Sequence, residues 1–182
     1  MTGGSAVAKS YARALFELAK ERTQTQAIGE QLHALAGLVT ISPDLRDFFS
    51  RPWIAAGKKR AVAVELATGA GVSPLARDFF ALVVAQRRAE HLSVIAEAYR
   101  ELHDADRGRI RARVRTAVPL TEQERVRLAA RLGRELGGKQ VILEEAVDSA
   151  LLGGFVAEIG SLVMDGSLDG QLARLRERLT AG

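Results

Sequence analysis

The chain has 182 residues, of which 47% are hydrophobic and 26% charged, with four prolines and no cysteine. This composition fits a folded globular protein and excludes the collagen-like and low-complexity classes, while the missing thiols remove disulfides, thiolate metal sites and cysteine nucleophiles. With 26 basic and 22 acidic residues the net charge is only +4, too small an excess to point to nucleic acid by itself.

From Ser5 to about Asp104 the apolar residues recur at helical spacing with short breaks, the pattern of an all-helical bundle. A first helix, predicted over 5–22, carries Val7, Tyr11, Leu15 and Leu18 along one stripe. Ala8, Ala12, Ala14 and Ala19 lie beside it, small enough for another helix to approach closely. A second helix is predicted over 24–40. Pro43 and Asp44 start a short third one holding Leu45, Phe48 and Phe49, and Pro52 ends it because its ring forbids continuation. The fourth spans 55–68 and is closed by Gly69 and Gly71. Ser73 caps the fifth with Pro74 just inside it, and a sixth over 89–104 shows Leu92, Ile95, Tyr99 and Leu102.

Within the fifth helix, the run Phe79-Phe80-Ala81-Leu82-Val83-Val84-Ala85 is apolar on every side. Such a helix either sits centrally in its bundle or lends a second face to something else. The second alternative is a groove for an amphipathic helix of another protein, with the alanine-rich first helix as its other wall.

At Asp106 the period changes to two: Arg107, Arg109, Arg111, Arg113 and Arg115 alternate with Gly108, Ile110, Ala112 and Val114. That is a strand with one charged face. It reads either as a solvated edge strand that discourages aggregation or as a surface for an anionic partner; nucleic acid is the weaker version, because no aromatic residues interleave to stack bases. Thr121 and Glu124 form a capping box, and Leu128, Leu132 and Leu136 share one face of the helix that runs to Gly137 and Gly138. Strands are predicted over 141–147 and 154–164, then a turn at Asp165-Gly166. Ser167 caps a last helix whose stripe of Leu168, Leu172, Leu175 and Leu179 needs a sheet to cover it. The reading is an α+β protein: a six-helix N-terminal bundle over 1–105, then a smaller C-terminal α+β domain over 106–182.

Chemistry is harder to find. Gly3 through Ser10 falls one glycine short of a phosphate-binding loop, and no strand can precede it. Gly69-Ala70-Gly71 lacks the third glycine of a dinucleotide fingerprint. His33, His91 and His103 have no metal-ligand spacing and are expected on helix surfaces. Glu144, Glu145, Glu122 and Glu124 are explained by exposed faces and capping. No catalytic residue, cofactor or metal is expected. No stretch reaches the roughly 18 uninterrupted apolar residues of a membrane span, and the start of the chain lacks an export signal, so a cytoplasmic location is the default expectation.

The chain resembles the delta subunit of bacterial F-type ATP synthase, the counterpart of the mitochondrial oligomycin-sensitivity-conferring protein. The resemblance is carried by Ala8, Tyr11, Ala12, Ala14, Leu15, Phe16 and Ala19, by Leu45, Phe48, Phe49 and Pro52, and by Arg87-Arg88 followed by Leu92, Ile95 and Tyr99. Most specific is the end: Asp148, Leu151, Leu152, Gly153, Gly154, Gly160 and Asp165-Gly166-Ser167, with Leu172 and Leu175. Ser149 and Ser161 depart from the family, which often has proline and an acidic residue there. The resemblance implies a non-catalytic stator subunit that links the F1 catalytic head to the membrane sector during proton-driven ATP synthesis, peripheral at the cytoplasmic face of the bacterial inner membrane. It implies that N-terminal helices of the alpha subunits dock between the first and fifth helices, on Tyr11, Ala14, Leu15, Leu18, Phe79, Leu82 and Val83. It also implies that the C-terminal domain holds the ends of b-type stalk subunits. A nucleic-acid-binding or helical adaptor module is the alternative function, and a small enzyme the third class.

Overall fold

The computed structural model describes residues 3–160 and 162–180; Ser161, one of the two departures from the family pattern, lies outside them. The architecture is α+β, as expected, and divides into two compact units, 1–103 and 104–182. The first contains α1 (Gly3–Glu21), α2 (Thr25–Ile41), α3 (Pro43–Ser50), α4 (Ala56–Gly69) and α5 (Pro74–Ala85), then a 3-10 turn (Ala89–His91) and α6 (Leu92–Asp106), whose last turn belongs to the second unit. The predicted sixth helix therefore opens in the tighter 3-10 form and runs two residues further than its periodicity showed.

Local signals account for the helix ends. Ser42 and Ser73 accept hydrogen bonds from the Leu45 and Ala76 amides, each with a proline at the start of the helix it caps. Gly71 follows α4 at φ 67°, the left-handed geometry glycine tolerates.

The core of this unit corrects the predicted face of α1. Its buried seam is Ala8, Ala12, Leu15, Phe16 and Ala19, whereas Leu18 and Ala14 are exposed and Val7 and Tyr11 half-buried. Alanines win the interior because a helix packed through them approaches its neighbour closely and gains dispersion contacts along its length. Phe16 then meets Tyr99 edge-to-face at 5.6 Å, and the buried Tyr99 hydroxyl donates to the Thr25 carbonyl at 2.9 Å. Phe49 and Phe80 stack edge-to-face at 6.1 Å. In α5, Phe79, Phe80, Ala81, Val83 and Val84 are buried and Leu82 is 48% exposed. Central packing thus absorbs most of the apolar run and leaves one leucine outside.

The second unit contains β1 (Arg109–Thr116), α7 (Glu122–Glu135), β2 (Gln140–Val147), β3 (Phe155–Ile159), β4 (Leu162–Asp165) and α8 (Leu168–Thr180). The strand order is β2-β1-β3-β4; β1 and β2 are parallel and the other pairs antiparallel. A helix between β1 and β2 is what a parallel pair requires. The capping box at Thr121 and Glu124 starts α7, which places Leu128 and Leu132 on Ala112, Val114, Val141, Ala157 and Ile159.

Three expectations change here. The arginine-bearing strand is central, not an edge. The predicted strand over 154–164 is a hairpin: Ile159 pairs with Leu162, and Gly160 takes φ 61° at the reversal. The leucines of α8 are not covered, with Leu168, Leu172, Leu175 and Leu179 between 47% and 75% exposed.

Candidate functional site

Helix α1 meets α5 through Tyr11 and Phe79, whose rings lie 6.2 Å apart at 68°. Tyr11, Ala14 and Leu18 share one face of α1 by their three- and four-residue spacing, and Phe79 and Leu82 share one face of α5. The ring contact brings these two rows together. Of the seven residues the resemblance assigned to a groove, Ala14, Leu18 and Leu82 reach the surface and Tyr11 is half-buried. Phe79 is 8% exposed, and Leu15 and Val83 are sealed in the core. The last two face the core and are closed off from the surface. Sequence reasoning missed a contact of Arg88 here: its guanidinium lies over the Tyr11 ring at 5.2 Å, a cation–π contact.

A second apolar surface lies in the α+β unit. Leu152, Leu168, Gln171, Leu172, Arg174 and Leu175 line an open cleft of about 590 Å³. The glycine-rich segment before α8 builds it. The Leu168 amide donates to the Gly153 carbonyl at 3.0 Å and the Gly166 amide to the Phe155 carbonyl at 2.9 Å. Gly154, at φ 80°, sits where a Cβ would strike the Gly166 carbonyl. Ser167, as expected, caps α8 by accepting from the Gly170 amide at 3.0 Å. Asp165 accepts from the Ser167 hydroxyl and amide, and these bonds hold its carboxyl below the usual range. The signature Asp165-Gly166-Ser167 is thus a knot that fixes where α8 begins.

The arginine face of β1 is matched by carboxylates. Asp104, buried, meets Arg109 at 3.0 Å and Arg111 at 2.5 Å. Glu144 meets Arg111 at 3.1 Å, and Asp148 meets Arg115 at the same distance. Glu145 accepts from the Leu120 amide and from Arg125, which lowers its carboxyl's pKa. The period-two pattern revealed the cations; their partners on α6, on β2 and just beyond β2 are brought to them by tertiary packing and parallel pairing and could not be seen in it. The edge-strand reading does not describe this strand, which is paired on both sides.

Among the described residues no group of three or more His, Cys, Asp or Glu side chains is placed to hold a metal ion. His33 is exposed, and His91 and His103 are half-buried. No helix of the described residues is long and apolar enough to cross a membrane.

Comparison with known proteins bears on these surfaces. The family described as ATP synthase delta (OSCP) subunit matches residues 7–179. ATP synthase subunit delta of Anaeromyxobacter dehalogenans (strain 2CP-C) is 40% identical over 173 residues, spanning 95% of this chain and 96% of that protein. Its namesake from Nostoc punctiforme is 37% identical over 174 residues, spanning 96% and 94%. A chain in the cryo-EM structure of the Toxoplasma gondii mitochondrial ATP synthase hexamer shares the fold, with a TM-score of 0.73 over 96% of this chain and 98% of that one at 20% identity.

Proposed function

The chain belongs to the ATP synthase delta (OSCP) family, and from that premise we propose how its two apolar surfaces perform a stator's work. The protein is a non-catalytic subunit of the peripheral stalk of an F-type ATP synthase, part of the link between the F1 head and the Fo sector. In our reading, the helical unit receives N-terminal helices of alpha subunits between α1 and α5, on Tyr11, Ala14, Leu18 and Leu82 with Phe79 beneath. The α+β unit holds the ends of b-type stalk subunits on the face of α8 and Leu152. The subunit is then peripheral, at the cytoplasmic face of a bacterial inner membrane, and reaches that membrane only through the complex.

The observation that carries the groove is the coincidence of Leu18, 44% exposed, and Leu82, 48% exposed, on two helices joined by the Tyr11–Phe79 contact. Fully burying a leucine side chain is worth about 1.5–3 kcal/mol, so covering what remains exposed of two supplies a modest core of affinity. A stator resists torque without turning over substrate. Desolvated apolar contacts serve that better than exposed ion pairs, which contribute about 1 kcal/mol or less each and weaken with salt. The nucleic-acid alternative loses its main support, because arginines that suggested it are paired with carboxylates of the same unit.

Calorimetry of the full chain with a peptide of the alpha-subunit N-terminus tests the groove. Ala14→Asp places a charge on an exposed helix position, so the fold is retained while a carboxylate would have to be desolvated on docking. Binding is expected to be lost. Unchanged affinity removes the groove assignment.

A further inference from the structure

The only tryptophan of the chain, Trp53, is 76% exposed. It stands in the short connection between α3 and α4, behind Pro52 and ahead of the half-buried Ile54. Arg51 lies beside it, its guanidinium 5.8 Å from the ring centroid. The rest of the neighbourhood in sequence is cationic. Arg46 on α3, and Lys58 and Arg60 on α4, are exposed and form no ion pair among the described residues. Asp44 and Asp47 stand among them in sequence, and Glu90 lines one pocket with Arg46 and Asp47. The first turn of α4 carries no acidic side chain and no side-chain cap, so its positive end adds to the local field instead of being neutralised. None of these residues belongs to the α1–α5 groove or to α8.

Exposure of a large aromatic leaves unrealised the burial energy that dominates interface cores, and Trp and Arg are the residues most enriched at binding hot spots. We propose that Trp53 and Arg51 form a second docking point of the helical unit, taking an acidic peptide segment that sets an apolar side chain on the indole and its carboxylates on Arg51 and on Lys58 in the first turn of α4. Charge complementarity selects this occupant: Arg51 beside the indole, with Lys58 in the uncapped first turn of α4 that carries no acidic side chain, attracts a segment rich in Asp or Glu. Because the segment is sought on the catalytic head, the proposal rests on the stator reading and adds to it a contact independent of the groove.

The test uses the full chain labelled with 5-fluorotryptophan, so that the fluorine signal reports Trp53 alone, added to the catalytic head stripped of this subunit. On binding, the Trp53 resonance is expected to shift and lose its solvent isotope effect. Trp53→Ala is expected to weaken binding about 30-fold, Arg51→Glu at least as much, and Trp53→Phe to recover part of the loss. Circular dichroism of each variant should match the parent, since the substituted side chains lie outside the core. A bound complex in which Trp53 keeps its free signal, with Trp53→Ala at parental affinity, overturns the docking point while leaving the stator reading intact. A full chain that does not bind the stripped head at all overturns both. Flotation with phosphatidylglycerol vesicles that depends on Trp53, with no effect of Trp53→Ala on head binding, replaces the peptide with a membrane and also overturns the proposal.

Discussion

Replacing Asp104 by asparagine should destabilise the α+β unit selectively. Asp104 closes the last turn of α6 with a side chain only 3% exposed, between Arg109 at 3.0 Å and Arg111 at 2.5 Å. The substitution preserves shape and removes the charge. Arg111 keeps Glu144 at 3.1 Å, while Arg109 is left without a carboxylate among the described residues. Breaking a fully buried pair costs about 3–5 kcal/mol and an exposed pair about 1 or less. Here the carboxylate is buried but the guanidiniums are 24% and 27% exposed, so water recovers part of the loss and the expected cost is about 2–3 kcal/mol. Urea unfolding followed by circular dichroism measures it. Amide hydrogen exchange of α1, α2 and α5 serves as the internal control, because these helices lie in the other unit and their protection should stay in place. A double-mutant cycle with Arg111→Met should return a coupling of about 1–2 kcal/mol. An Asp104→Asn transition within about 0.5 kcal/mol of the parent, or additivity with Arg111→Met, refutes the argument.

The buried Tyr99 has its pKa pushed up to about 12 from 10.0 by desolvation. Its contribution is therefore intact below pH 10 and lost as pH rises through about 12, so a Tyr99→Phe variant should flatten alkaline unfolding of the helical unit while costing about 1 kcal/mol near neutrality for the lost bond to Thr25. Lys59 has the opposite sign. Its ammonium is buried, donates to the Phe49 carbonyl at 2.6 Å, and has its pKa lowered by burial and then by Arg87; the stability gap between Lys59→Met and the parent should shift in the parent's favour as pH rises toward 10.5, as urea midpoints across that range would show. Gly154→Ala should cost more than Gly137→Ala, because both residues have positive φ but only the first would drive a Cβ into backbone; thermal unfolding should separate about 3 kcal/mol or more from about 1. Leu82→Asp should abolish alpha-peptide binding in calorimetry without lowering the unfolding temperature, since Leu82 is half exposed.

Much of the fold was legible because it rests on local signals. Ser73-Pro74, Thr121 with Glu124, and Ser167 each start a helix by satisfying backbone amides, an event confined to four residues. What escaped the sequence depends on partners far along the chain. The face of α1 was read from its largest residues, yet close packing selected the alanines. The strand of arginines was legible as a strand, but its central position follows from β2 and β3 pairing on either side, and the counter-charges at Glu144 and Asp148 follow from parallel register. The strand over 154–164 hid its reversal because Gly160 alone does not distinguish a bulge from a turn. The groove residues divided in the same way. Periodicity placed Leu15 and Val83 near the correct helices, and only burial showed that they face inward.

The knot at Asp165–Gly170 also decides how α8 carries load. Helix α8 is anchored at its first turn by Leu168 to Gly153, by Asp169, whose carboxylate accepts from the Leu152 amide at 3.2 Å, and by Arg174, which donates to the Asp165 carbonyl at 3.3 Å. Beyond Arg174 its leucines stand in solvent. Among the described residues, the hydrogen bonds that tie the helix to the rest of its unit all lie between Leu168 and Arg174, so it is held at one end in the manner of a cantilever. A pull at Leu179 acts on the clamp through an arm of about 16 Å, at 1.5 Å per residue from Leu168. Sideways strain then concentrates in a few hydrogen bonds around glycines, whereas an axial pull loads them evenly; the direction in which a cable is attached to such a beam matters as much as how tightly it is glued.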